Sequence, residues 1–149
     1  MTTPTKAKST KNTKIQLGDG GAPEVFTTID EITSFGAPQV KQGSIEVTNC
    51  DSDAVERIGD GLADGGSVVY EMNFVGSSNT QQQLRTLAGS GTTRNIRHIY
   101  NDHATTPTTI TFPAVIENFD GPKGAVKEAL KATCTVTVAG KPTVNQYAP

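Results

Sequence analysis

Histidine, cysteine and carboxylate side chains are the natural places to look for chemistry, and here their spacing leads nowhere catalytic. His98 and His103 flank Asp102. That arrangement suits a metal pair or an acid–base dyad, but no third ligand stands nearby, so ordinary core or surface histidines are expected. Asp51, Asp53 and Glu56 resemble the start of a calcium loop, yet Glu56 occupies the position where an EF-hand needs glycine. Gly18-Asp19-Gly20, Gly59-Asp60-Gly61 and Gly89-Ser90-Gly91 open dinucleotide-like patterns without the third glycine. Gly140-Lys141 is followed by Pro142 where a phosphate loop needs Ser or Thr, and Val69 replaces the closing glycine of a nucleophile elbow at Gly65-Gly66-Ser67. Cys134 sits on an apolar parity and reads as a small core residue. No nucleophile or acid–base set emerges, so the expectation is no enzyme, no cofactor and no metal.

The elements that would position any site must therefore carry the function. The chain has 149 residues, enough for one domain with a tail, and a net charge of -2. Abundant Thr, Val, Gly and Pro and scarce Leu favour short strands joined by turns. No apolar run reaches the ~18 residues of a membrane span. The opening MTTPTKAKSTKNTK has no apolar stretch of a secretory signal, so a reducing compartment with free thiols and no membrane partner is expected.

Charge is segregated. Residues 1–14 carry Lys6, Lys8, Lys11 and Lys14 and no acid; residues 15–71 carry eleven acids against Lys41 and Arg57; residues 72–149 carry four acids against seven bases. Residues 1–17 read as a flexible basic arm, 18–142 as the folded domain and 143–149 as a tail. The acidic body would repel DNA rather than grip it.

Along the domain, 25–35 reads as one bent strand and 44–48 as a short one with Ile45 and Val47 on one face. Residues 49–66 form a polar, glycine-punctuated loop, longer than loops usually are without a function. Ser67 to Val75 alternates cleanly, with Val68, Tyr70, Met72 and Phe74 inward. Ser78 or Asn79 caps a short helix through Leu84 and Leu87 that stops at Gly89. Residues 94–100 and 108–119 are two more strands, with Pro113 marking an edge or a bulge. Alternation from Val126 to Val138 predicts one long final strand, preferred over a helix at AVKEALKA.

The order of these pieces resembles the major tail tube proteins of long-tailed bacteriophages, in their single-domain form. The resemblance runs from about Phe26 to Pro142: FTTIDEITSFGAP, GSIEVTNCDSD, ERIGDGLADGGSVVYEMNF, QQQLRTL, ITFPAVIENF and TCTVTVAGKPT. It implies an all-β fold, a β-sandwich or barrel-like domain with one flanking helix. It further implies six copies per ring, rings stacked into a hollow tube in a virion tail, and assembly in the host cytoplasm. The implied partners are other copies of the chain, a tape-measure protein, a tail terminator and distal tail or baseplate proteins, with double-stranded DNA as a transient, non-specific cargo.

On those terms the 49–66 loop is the candidate contact between rings, through Asp51, Asp53, Glu56, Arg57, Ile58, Leu62 and Asp64. It would be mobile in the monomer and ordered in the tube. Its charges would pair with Lys127, Lys131 or the basic arm. Unpaired edges of the long strands would close the ring. Glu71 and Asn73, on the wet face of the clearest strand, are candidates to line the bore. Two alternatives stay open: a monomeric immunoglobulin-like binding or adhesion module, which would expose aromatics on a concave face, and a tube subunit of a bacterial secretion or contractile machine.

Overall fold

The computed structural model describes residues 4–145. Its elements are β1 (Lys14–Gly18), β2 (Phe26–Thr28), β3 (Ile32–Phe35), β4 (Lys41–Glu46), β5 (Arg57–Asp64), β6 (Ser67–Asn73), α1 (Asn79–Leu87), β7 (Thr93–Ile99), β8 (Thr109–Lys123), β9 (Lys131–Val138) and β10 (Thr143–Asn145). One antiparallel sheet has the order β2-β1-β7-β8-β9-β6-β3, with β10 beside β8; β4 and β5 pair only with each other.

Strands β2 and β3 follow each other in the chain yet form opposite edges of this sheet. The Ile29 N–H donates to Ile15 on the β1 side at 2.8 Å, and two residues later the Glu31 carbonyl accepts from Asn73 at the end of β6 at 2.9 Å. Three residues thus carry the chain from one edge to the other, so the sheet is rolled into an open barrel. Period-two alternation then fills the inside: Val68, Tyr70 and Met72 from β6, Phe112, Ala114 and Ile116 from β8, and Ala132, Cys134 and Val136 from β9 are all buried. Burial pushes the Cys134 thiol up to about 12, consistent with an inert core residue.

The helix locks the corner where β2 turns into β3. Ser78 caps it, accepting from the Gln81 N–H, and its hydroxyl donates to Asp30 at 2.6 Å. The buried Gln81 side chain accepts from Val75 N–H at 2.9 Å and donates to the carbonyls of Asn73 at 2.9 Å and Asp30 at 3.2 Å. Leu84 completes the attachment at 1% exposure. Across the interior, Tyr70 Oη lies 2.6 Å from His98 Nε2, and Tyr100 Oη lies 3.0 Å from Nδ1. Strands β8 and β9 separate Tyr70 from His98 within the sheet, so this contact ties opposite walls together.

Several expectations change. The 25–35 segment is two strands, because the corner at Glu31 takes a positive φ of 62°. Strand β1 begins inside the stretch assigned to the arm, and its Ile15 and Leu17 are core residues. The first three residues of the expected tail form β10; 146–149 lie outside the described residues. The long strand from Val126 shortens to β9: Lys123 pairs with Lys131, so the seven residues between them must make the turn. Lys127 there has φ 70°, and Val126 is 91% exposed. The 49–66 loop is largely replaced by a hairpin, since β5 pairs with β4 from Glu46↔Arg57 to Lys41↔Asp64. Pro113 marks neither an edge strand nor a bulge: it lies in the interior strand β8, in regular register with Asn95, and its carbonyl accepts from Ala139 at 2.8 Å, so the amide it lacks faces the gap between β9 and β10.

Two measurements check this packing. Gln81→Ala removes the hydrogen bonds of a buried side chain to three partly buried backbone groups and should cost about 1–3 kcal/mol in chemical denaturation; a loss below about 0.5 kcal/mol would contradict the corner lock. Burial holds the His98 imidazole neutral, lowering it from 6.5 to about 4. The unfolded chain therefore takes up the proton first, and stability present above pH 6.5 declines as pH falls towards 4. Between pH 7 and 5 the loss should be about 2 kcal/mol. His98→Gln should flatten that dependence; an unchanged slope would refute the assignment.

Candidate functional site

The β4–β5 hairpin is built unlike the rest of the chain. Every residue in both strands is exposed. Ile45 stands directly opposite Ile58, and the two are 50% and 53% exposed, with Leu62 at 74%. A strand pair with water on both faces is marginal by itself. Its local order comes from turns: Asn49 Oδ1 accepts from Asp51 N–H at 2.9 Å, Thr48 Oγ1 from Glu56 N–H at 2.9 Å, and Asp60 Oδ1 from Leu62 N–H at 2.9 Å.

Its base, by contrast, is fixed to the barrel. Gln39 N–H donates to the Gly65 carbonyl and Val138 N–H to that of Gly66, each at 2.9 Å. A Cβ on Gly65 would fall 2.3 Å from Val138 Cγ1, and Gly66 has φ +71°. Two glycines are thus required for the hairpin to leave the sheet this close to β9.

Register places the hairpin relative to the other candidates. Ser67 is level with Thr137 and Thr137 with Val115, so the hairpin leaves towards the start of β8. Strand β7 ends and β8 begins at that same end (Ile99↔Thr109), and Lys14 is paired to Ile99. The arm therefore departs beside the β7–β8 turn, where Asn101 Nδ2 donates to the Lys11 carbonyl at 3.2 Å. Lys8 and Lys11 line a cavity of about 380 Å³ with Asn101, Asp102 and His103. The β8–β9 turn, bearing Lys127, lies at the opposite end, with Lys131 at its base.

Of the residues singled out in the sequence, Asp51 and Asp53 sit at the hairpin tip, and Arg57, Ile58, Leu62 and Asp64 lie on β5. Glu56 bonds through its backbone to Thr48 just before β5. Glu71 is exposed on the outer face of β6, opposite Thr133. Asn73 and Lys131, assigned to different roles, are brought together: Lys131 Nζ donates to Asn73 Oδ1 at 3.3 Å, and Asn73 Nδ2 donates to Glu31 at 3.3 Å. Lys6, Lys8 and Lys11 stay on the arm, whereas Lys14 is in β1. Among the described residues, the ion pair within 4 Å is Lys123–Asp120, so the hairpin's acids have no ion-pair partner among them.

The sequence reading missed Val126 and Leu130 as surface residues; they are 91% and 54% exposed beside Lys127. Their parity matched a core strand, and only the pairing of Lys123 with Lys131 reveals the turn. The histidine chemistry is spent on structure. Asp102 accepts from both the hydroxyl and the N–H of Thr108, which holds its carboxyl below the usual range, and His103 Nδ1 accepts from Thr106 N–H at 3.0 Å. No group of three metal-ligating side chains occurs among the described residues, and none of their helices is long and apolar enough to cross a membrane.

No protein-family model matches the chain, and no curated protein matches it. Solved structures do. A subunit from the tail of an empty gene transfer agent particle, refined with C6 symmetry, is 18% identical with a TM-score of 0.69, covering 95% of this chain and 100% of its own. The SPP1 tail tube protein is 13% identical at TM-score 0.67, covering 92% of this chain and 78% of its own. A component of the tube-terminating cap of the anti-feeding prophage is 12% identical at TM-score 0.75, covering 99% and 96%. The rolled sheet, corner helix and projecting hairpin thus make up the fold seen in proteins of phage-type tails and injection-system tubes.

Proposed function

We propose that this chain is a structural tube subunit rather than an enzyme: copies close side by side into rings of six, and the rings stack into the hollow tube of a virion tail. The observation that carries this reading is the β4–β5 hairpin, an anchored but coreless sheet that only another molecule can cover. The C6 arrangement of the gene transfer agent tail supports the ring number.

The long strands expected to supply free edges, β6 and β9, are interior and paired on both sides; side by side, it is instead the short edge strands β2 and β3 and the outer edge of β10 that offer unpaired backbone for a closed ring to consume. Along the axis, the hairpin and the β8–β9 turn lie at opposite ends, as stacking requires. Ile45, Ile58 and Leu62 of one ring cover Val126 and Leu130 of the next. Asp64, near the hairpin's base, answers Lys127 and Lys131 around that apolar patch, and Asp51, Asp53 and Glu56 at the tip answer basic groups of a neighbouring copy. The hairpin is loosely held before assembly and becomes ordered on contact, which suppresses premature growth.

The outer face of the sheet supplies the bore. Glu71, Thr133, Thr135 and Thr137 present carboxylate and hydroxyl groups there, a surface that does not retain phosphates and lets double-stranded DNA slide. Asn73 belongs to the same face beside Lys131. Tape-measure, terminator and distal or baseplate proteins are the remaining partners, and assembly takes place in the host cytoplasm before the tail joins the virion.

A second reading, the tube of a contractile injection machine, draws support from the anti-feeding prophage component, which matches nearly the whole chain. The adhesion-module reading gains none: Tyr70 is 1% exposed, Tyr100 is tied to His98, and Tyr147 lies outside the described residues.

Deleting Ile58 to Leu62 should leave a folded monomer with the parent's cooperative unfolding of the barrel, and no long tubes in negative-stain microscopy. The milder Ile58→Asp should reduce tube length without altering the circular dichroism of the monomer. Normal tubes from both variants would count against the hairpin as the axial contact. A parent protein that stays monomeric when concentrated would count against the tube itself.

A further inference from the structure

The hairpin's acids have two possible basic partners, and topology separates them. The β8–β9 turn lies at the end of the barrel remote from the hairpin, so it can meet a hairpin only from another layer. The arm leaves from the same end as the hairpin, beside the β7–β8 turn. It can meet the hairpin of a copy standing next to it in the same layer.

We propose that the arm is a lateral latch: Lys6, Lys8 and Lys11 of one copy grip the acidic tip half of the hairpin of the adjacent copy in the ring. This rests on the tube reading and names the partner surface within it. The tip half, residues 46–57, carries Glu46, Asp51, Asp53 and Glu56 against Arg57 alone, a net of -3. The arm before β1 carries Lys6, Lys8 and Lys11 and no acid, a net of +3. The arm is also held in place: the Lys11 carbonyl is fixed by Asn101, and Ser9 Oγ accepts from the Lys11 N–H at 3.0 Å. Lys8 and Lys11 are thereby presented along the β7–β8 turn as a docking surface. A hairpin resting across its neighbour brings Asp51 and Asp53 over these lysines. That leaves the apolar pair Ile45 and Ile58 to be covered by the next ring. Ring closure then sets the hairpins in place before stacking begins.

Cys50 stands exposed at the hairpin tip, and the other thiol, Cys134, is buried. Lys8→Cys therefore places a second reactive thiol on the arm. Mild oxidation of assembled Lys8→Cys protein, followed by non-reducing electrophoresis, should give a ladder of disulfide-linked species that ends at the ring number, because a lateral contact closes on itself. About 1 M salt during assembly should suppress the ladder without unfolding the barrel. A disulfide within single chains, a ladder that grows without limit, or assembled material with no cross-link would each overturn the latch. The last of these would leave the tube reading intact, whereas failure of the parent to assemble would remove both. As a second variant, Lys6→Glu/Lys8→Glu/Lys11→Glu should raise the concentration needed for assembly about tenfold. Adding Asp51→Lys and Asp53→Lys to that chain should restore the parent value; no change from the first set, or no recovery from the second, would refute the pairing.

Discussion

Two strands cannot shelter their own hydrogen bonds and side chains when both faces meet water. In this chain the restriction falls on β4 and β5 alone. The barrel satisfies itself: its alternating strands bury Tyr70, Phe112, Met72 and Ile116 completely or nearly so. The hairpin buries nothing, yet it is fastened to that barrel at Gly65 and Gly66. A rigid base fixes where the uncovered sheet emerges, and burying each of Ile45, Ile58 and Leu62 on another copy can contribute up to about 1.5–3 kcal/mol. A modest contact of this kind becomes strong when repeated around a ring.

The barrel's polar interior serves this arrangement. Gln81 satisfies three backbone groups at the corner where the chain changes edges, and Ser78 ties Asp30 to the helix cap. The Tyr70–His98–Tyr100 chain braces opposite walls. These buried side chains are thus paired, as burial demands, and the walls that carry the hairpin, the arm and the β8–β9 turn keep fixed relative directions. Those directions put acidic and basic surfaces where successive copies can use them.

What was legible in the sequence follows from where burial imposes a period. Strands β6, β8 and β9 were readable because one face is core and the other is wet, and α1 because Ser78, Leu84 and Leu87 mark its cap and inner face. The hairpin was not readable as strands: with no buried face, nothing forces apolar residues into alternation, and Gly59 and Gly61 resemble loop punctuation. Val126 and Leu130 misled for the opposite reason, since an accidental parity continued that of β9 across a turn. Ile15 and Leu17 were hidden by the lysines before them. The chain's passage between sheet edges at Ile29–Glu31 depends on long-range pairing that no local pattern records. The residues singled out in the loop fall on one hairpin, but the meeting of Asn73 with Lys131 and the placement of the arm at the hairpin's end required the register of the sheet.

Amide hydrogen exchange tests most directly whether the hairpin is completed by another copy. It should be followed in β4 and β5 for dilute monomer and for assembled material, with β6 and β9 as internal references. The expected result is rapid exchange of hairpin amides in the monomer and at least about a hundredfold slowing on assembly, while the already protected core strands change little. Hairpin amides that exchange equally fast in both states would contradict the central claim, because the surface said to need a partner would then remain open to water in the assembly.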